Sequence, residues 1–113
     1  MSSPTQPLRG QVFHVDMLEA GRHYWVVVSN NPRNARLSDI LATMITTTPP
    51  RSPRPSYVPL AGARDPFDGW VKCDRIGPIP KEDLGPVKGG LSRATMRLVD
   101  IGLAFALGLP RPA

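Results

Sequence analysis

The chain is poor in the residues that staple small proteins or build metal centres. Its one cysteine, Cys73, excludes an internal disulfide and any cysteine-built zinc site. Two histidines, His14 and His23, cannot complete a structural zinc site without carboxylates, and no ligand spacing suggests one. Neither a metal nor a cofactor is therefore expected. The longest apolar run, 98–109, is too short to span a bilayer and contains Asp100. The opening MSSPTQPLRG has no apolar core, so no secretory signal is expected. These shortages predict a soluble cytoplasmic protein with no membrane partner.

Acidic residues are also scarce. Nine Asp and Glu face fourteen Lys and Arg, eleven of them Arg, for a formal charge of +5. Such a balance favours polyanionic or acidic partners. What is plentiful is proline and glycine, fourteen and ten in 113 residues. That density argues against a helical bundle and for short strands joined by turns.

The pattern along the chain agrees. Residues 1–9 are polar and proline-bearing and read as a flexible leader; residues 10–110 read as one domain. Val12, Phe13, Val15 and Met17, interleaved with His14 and Asp16, predict a half-buried strand, followed by a turn through 18–22. Tyr24 to Ser29 (YWVVVS) predicts a strand buried on both faces. Residues 30–39 are turn-rich, with one helical turn after Pro32, and Ile40 to Thr46 is a third strand. The prolines of 49–55 forbid a central strand, and 56–60 suits a short edge strand. A loop at 61–68 leads to a strand at Gly69 to Cys73, Ile79 is placed to close the sheet, and 80–84 suits a helical turn. Last comes a helix, capped by Ser92, with Met96, Val99, Leu103, Ala106 and Leu107 on one face, stopped at Gly108 and Pro110. Leu98, Ile101 and Phe105 widen its apolar face, which predicts a two-fold homodimer to cover the surplus. The fold class is mainly β: a small barrel of five to seven short strands with a C-terminal α-helix.

No phosphate-binding glycine loop, nucleophile elbow or HExxH motif occurs. Polar residues instead gather at strand ends. Arg22 and His23 open the second strand, Thr46, Thr47 and Thr48 close the third, and Lys72, Asp74 and Arg75 surround the end of GWVKC. Convergence on one rim would join an imidazole, a carboxylate, hydroxyls and cations. Cleaving RNA without metal needs such a set: a base for the ribose 2′-OH, donors for the phosphate, and an acid for the leaving oxygen. Taken singly, each residue has a plainer role in packing, strand chemistry or a solvated face.

The order of the pieces resembles the MazF/PemK/Kid family of toxin endoribonucleases over residues 8–109. LRGQVFHVDM resembles the family's opening RGxIWxVDL, GRHYWVVVSNN its GxRPxLVVSN, and ILATMITTT the strand ending VxPxTS. GWVKCDRIGPI resembles GVVRCDQxRTI, and LSRATMRLVDIGLAFALGL the closing helix. The resemblance implies an SH3-like, MazF/CcdB-like barrel acting as a homodimer. It implies metal-independent cleavage of single-stranded RNA to 2′,3′-cyclic phosphate and 5′-OH ends, checked by a cognate antitoxin with an acidic, partly disordered segment. Carried over residue by residue, the catalytic Thr falls on Thr46, with Thr47 at the neighbouring hydroxyl, and the Arg and Asp of RCD fall on Lys72 and Asp74. The catalytic Arg of GxRP falls on His23, with Tyr24 in place of Pro; Arg22 stands one place earlier. Glu19 stands for the Glu of the first inter-strand loop, and Asn30 falls on the Asn of VVSN. Thr48, Arg51, Arg54 and Arg75 join Thr47, Glu19 and Asn30 as expected RNA contacts.

The departure at His23 leaves an alternative, a catalytically weak or inactive toxin-fold protein that binds an antitoxin or a protein target. A CcdB-like poison would act through its C-terminal residues, and LGLPRPA offers no aromatic to insert. A proline-peptide adaptor on the same barrel would want an aromatic-lined groove, and two Trp, two Tyr and three Phe are few for one.

Overall fold

The structure, a computed structural model, describes residues 6–17, 21–60 and 67–112. Residues 61–66 of the expected loop, together with Glu19 and the side chain of Arg22, lie outside the described residues. Six strands form one curled antiparallel sheet, a half-barrel, in the order β4-β5-β3-β2-β1-β6. They are β1 (Gln11–Met17), β2 (Gly21–Val27), β3 (Asp39–Thr46), β4 (Tyr57–Pro59), β5 (Trp70–Pro80) and β6 (Val87–Gly90). A short helix α1 (Asn31–Arg36) joins β2 to β3, a 3-10 turn at Lys81–Asp83 follows β5, and helix α2 (Arg93–Leu107) closes the chain.

Strand alternation sends side chains to both faces of the sheet, and both are covered. Val12, Val26, Ile45, Val71 and Cys73 pack under Met96 and Val99 of α2. Val15, Trp25, Val27, Ile40, Ala42 and Ile79 form a second core on the other face, beside Phe13, Met44 and Leu84. The expectation that YWVVVS is buried on both faces holds for Trp25, Val26 and Val27. Its first residue, Tyr24, is 40% exposed.

Helix α2 forms as its sequence predicts. The Ser92 hydroxyl accepts from the Thr95 N–H, and Gly108 ends the helix at φ 71°. Gly102 is needed because a Cβ there would lie 2.8 Å from both Cys73 Sγ and the Pro55 carbonyl. Helix and sheet meet backbone to side chain at that point. One flank of α2 stays uncovered, with Leu98 and Phe105, seven residues apart, both exposed. No described helix is long and apolar enough to cross a membrane.

Two elements differ from the sequence reading. The first is β5, which runs on past Cys73 through Pro80, because Pro78 and Pro80 pair with Leu41 and Asp39 of β3. Prolines are tolerated there since β4 covers only Trp70 to Lys72, leaving the rest of β5 an edge that needs no outward N–H. The second is β6, an edge strand of sequence VKGG, exposed throughout and held to β1 by its backbone. It has no apolar alternation to announce it. Within the expected leader, Arg9 is anchored: its backbone N–H donates to Asn31 Oδ1 (2.7 Å), its Nε to the Val28 carbonyl (2.9 Å), and its guanidinium pairs with Asp100.

Candidate active site

The site begins where β2 starts and β3 ends. Register pairs Tyr24 with Ile45 as the last pair of the β2–β3 ladder, and continuing it by one rung sets His23 of β2 across from Thr46 of β3, the two lining one cavity. Opposed residues of an antiparallel pair share a face, with Cβ atoms about 4.5–5.5 Å apart. Thr46 is paired on its other side with Trp70 of β5, so His23, Thr46 and Trp70 form one row across three strands. Lys72, two residues along β5, pairs with Met44 and lies on that same face.

A cavity of about 610 Å³ wraps these strand ends. It is lined by His23, Tyr24, Ile45, Thr46, Thr47, Thr48, Phe67, Asp68 and Lys88. Beyond Thr46 the chain bends, and the Thr48 N–H donates to Thr46 Oγ1 at 3.1 Å. That contact fills a lone pair of the Thr46 hydroxyl and leaves its proton for an acceptor in the cavity. Gly69 makes the bend possible. It adopts φ +96°, and a Cβ there would fall 2.1 Å from the Thr46 carbonyl oxygen. Only glycine allows the chain entering β5 to lie so close to the end of β3.

The opposite wall is aromatic and basic. The Tyr24 ring meets Phe67 edge-on at 5.5 Å and His14, tilted, at 5.5 Å. Lys88, from the unannounced strand β6, is the one Lys or Arg lining the cavity among the described residues. Lys88, Asp68, Tyr24 and Phe67 were not among the residues expected at the site. For Lys88 no local signal was available, since it stands in a polar, glycine-bearing run with no alternation. For Tyr24 the signal was an aromatic standing where the resembling family carries proline.

Of the residues expected at the site, the cavity therefore brings together His23, Thr46, Thr47 and Thr48. Lys72 stays on their face but leans the other way, with Nζ 5.7 Å from the centre of the Tyr57 ring; Arg54 lies 5.4 Å from the same ring. Asp74 and Arg75 sit in a bulge. Met44 pairs with Lys72 and the preceding Thr43 with Ile76, so Cys73, Asp74 and Arg75 oppose nothing on β3. The buried Thr43 hydroxyl closes the gap by donating to the Lys72 carbonyl, and the Cys73 N–H turns instead to the Ser56 carbonyl at 2.8 Å. Asp74 and Arg75 are exposed, as is Arg51 in the proline loop. Asn30 lies past the far end of β2, where its side chain caps α1 by accepting from the Arg33 N–H. A larger groove of about 760 Å³, between the proline loop, β4 and α2, is mostly apolar and gathers neither imidazole nor threonine hydroxyls. Burial pushes the Cys73 thiol from 9.0 up to about 12, with the Asp74 and Asp100 carboxylates adding to the rise. That keeps it protonated and chemically inert.

Imidazole, hydroxyl donors and ammonium around one cavity suit an anionic ester such as a phosphodiester, and the half-barrel with a closing helix is the frame of a small toxin fold. Comparison with known proteins makes the class specific. The family described as PemK-like, MazF-like toxin of type II toxin-antitoxin system matches residues 8–107. Endoribonuclease MazF4 of Mycobacterium tuberculosis is 43% identical over 106 residues, covering 94% of this chain and 97% of that relative. A solved endoribonuclease in complex with its cognate antitoxin, from a mycobacterial species, superposes with TM-score 0.84 at 43% identity, covering 94% of this chain and 99% of that one. A second mycobacterial endoribonuclease gives TM-score 0.86 at 40% identity over 98% of this chain and all of the other. The chain belongs to the PemK/MazF-like toxin family of type II toxin–antitoxin systems.

Proposed function

We propose that this toxin endoribonuclease cuts single-stranded RNA at the His23–Thr46 cavity, by attack of a ribose 2′-oxygen on the neighbouring phosphate. The observation that carries the reading is the row across β2 and β3, which sets an imidazole opposite a hydroxyl whose proton is free to donate. His23 takes the 2′-OH proton as the O2′–P bond forms. Thr46, with Thr47 and Thr48, donates to the non-bridging oxygens, and Lys88 balances the charge that grows on them. The P–O5′ bond then breaks, the 5′-oxygen takes a proton from water, and the imidazolium returns its own to solvent. The products are a 2′,3′-cyclic phosphate and a 5′-OH, with His23 as the base, the threonines and Lys88 on the phosphate, and water as the acid for the leaving oxygen. Asp74, Arg75, Arg51 and Arg54, outside the cavity but on the surrounding surface, serve the strand as it enters and leaves.

The chain is the toxin of its pair, and the partner that restrains it is a cognate antitoxin with an acidic segment, drawn by the +5 charge. The exposed pair Leu98 and Phe105 on one flank of α2 supports a homodimer. Its place of action is the cytoplasm. The test is direct: in EDTA the purified protein cuts single-stranded RNA, leaves DNA of the same sequence intact, and yields cyclic-phosphate ends. Cleavage that needs added Mg²⁺, or that also cuts DNA, overturns this mechanism.

A further inference from the structure

We propose that Tyr24 is the stacking platform for a nucleobase next to the scissile phosphate, so that one aromatic ring fixes where the RNA is cut. This rests on the reading of the cavity as the cleavage site and adds a base subsite to it. In a strand where Trp25 and Val26 are 4% and 0% exposed, Tyr24 is 40% exposed, and its ring lines the cavity wall. The ring is not loose. Phe67, 8% exposed, braces it at 62° and His14 at 59°, both with ring centres 5.5 Å away. Neither neighbour is stacked face to face on Tyr24, and the ring's 40% exposure leaves surface for a flat ligand.

The surroundings say what kind of ligand this ring would hold. Beside it stand three threonines and Lys88, which suit a phosphate, while the ring itself suits a flat apolar surface. A nucleotide presents both at the spacing of one residue, and single-strand readers combine a basic groove with aromatic platforms in this way. Tyrosine loses little side-chain freedom on binding, and a ring already braced by two others loses less.

The test uses the full-length protein and a single-stranded RNA whose cleavage position has been mapped. Steady-state cleavage is measured for the wild type, Tyr24→Leu and Tyr24→Phe. The same RNA is then used with one abasic nucleotide placed in turn on either side of the cut. Tyr24→Leu should raise KM about tenfold, the scale of one lost base stack, with kcat held within about twofold. Tyr24→Phe, which keeps the ring, should match the wild type. With the abasic nucleotide at one flanking position, wild type and Tyr24→Leu should become equal, because the base that stacks is gone. An unchanged KM for Tyr24→Leu overturns the proposal, as does a penalty that persists at every abasic position. Those results leave the cleavage site standing if the wild type still cuts RNA in EDTA; failure of that wild-type control removes both.

Discussion

Two polar clusters on this half-barrel look alike in the sequence and differ in the fold. At the ends of β2 and β3, an unbroken register that reaches Tyr24 and Ile45 leads His23 and Thr46 into one cavity, and the chain turns so that Thr47 and Thr48 follow into it. On β5 the run Lys72-Cys73-Asp74-Arg75 meets a break in register, and the bulge turns Asp74 and Arg75 out to solvent while Cys73 goes inward. Paired strands converge their side chains; a bulge disperses them. Chemistry that needs several groups on one phosphate belongs at the paired ends.

The sharpest way to break the cavity without touching its reacting groups is Gly69→Ala. The added Cβ would collide with the Thr46 carbonyl in a backbone conformation that side chains avoid, at φ +96°. Thr46 to Thr48 must then shift, and RNA cleavage should fall by ~10³ or more, with a stability loss of about 1–3 kcal/mol read from chemical denaturation. Next in size, Thr46→Ala should lower cleavage by ~10²–10³, the usual cost of one lost transition-state donor, at nearly unchanged thermal midpoint. Full activity in either variant would move the site elsewhere.

Thr43→Val makes the matching cut at the bulge. It removes the buried hydroxyl that serves the Lys72 carbonyl, so it should cost about 1–3 kcal/mol of stability while cleavage per folded molecule stays within a few-fold. Asp74→Ala should do least, leaving cleavage within a few-fold and, at low salt, slightly raising it, because an exposed carboxylate that repels phosphate is screened as salt rises. A loss as large as that of Thr46→Ala would erase the distinction between the two clusters. Cys73 adds a pH dependence to the bulge. Its folded-state value lies above 9.0, at about 12, so the unfolded chain gives up the thiol proton first as pH rises. Its contribution to stability is intact below pH 9 and fades between about 9 and 12. Cys73→Ala should flatten that alkaline decline in urea titrations.

Much of this was legible from residues alone, for reasons the fold makes plain. Aromatic and β-branched runs such as Trp25-Val26-Val27 are strands because both faces of the sheet are covered, and Ser92 and Gly108 bound α2 because a helix end needs those caps. What stayed hidden has no local signal. β6 is exposed and glycine-bearing and exists only through its pairing with β1, so Lys88 could not be placed at the cavity. The bulge between Lys72 and Ile76 is a property of two strands together, invisible in either. Asn30 shows the converse: its motif position was legible, but its side chain is committed to capping α1 at the far end of β2.

The measurement that tests the central claim most directly is a backbone and side-chain NMR titration with a single-stranded RNA carrying a 2′-deoxy nucleotide at the cleavage position. That substrate cannot be cut, because the attacking oxygen is missing, yet it keeps its bases and phosphates. The largest shift changes should fall on His23, Tyr24, Thr46, Thr47, Thr48 and Lys88, with Asp74 and Arg75 moving little. Changes centred on the β5 bulge or on the apolar groove beside α2, with the strand-end cavity silent, would contradict the account.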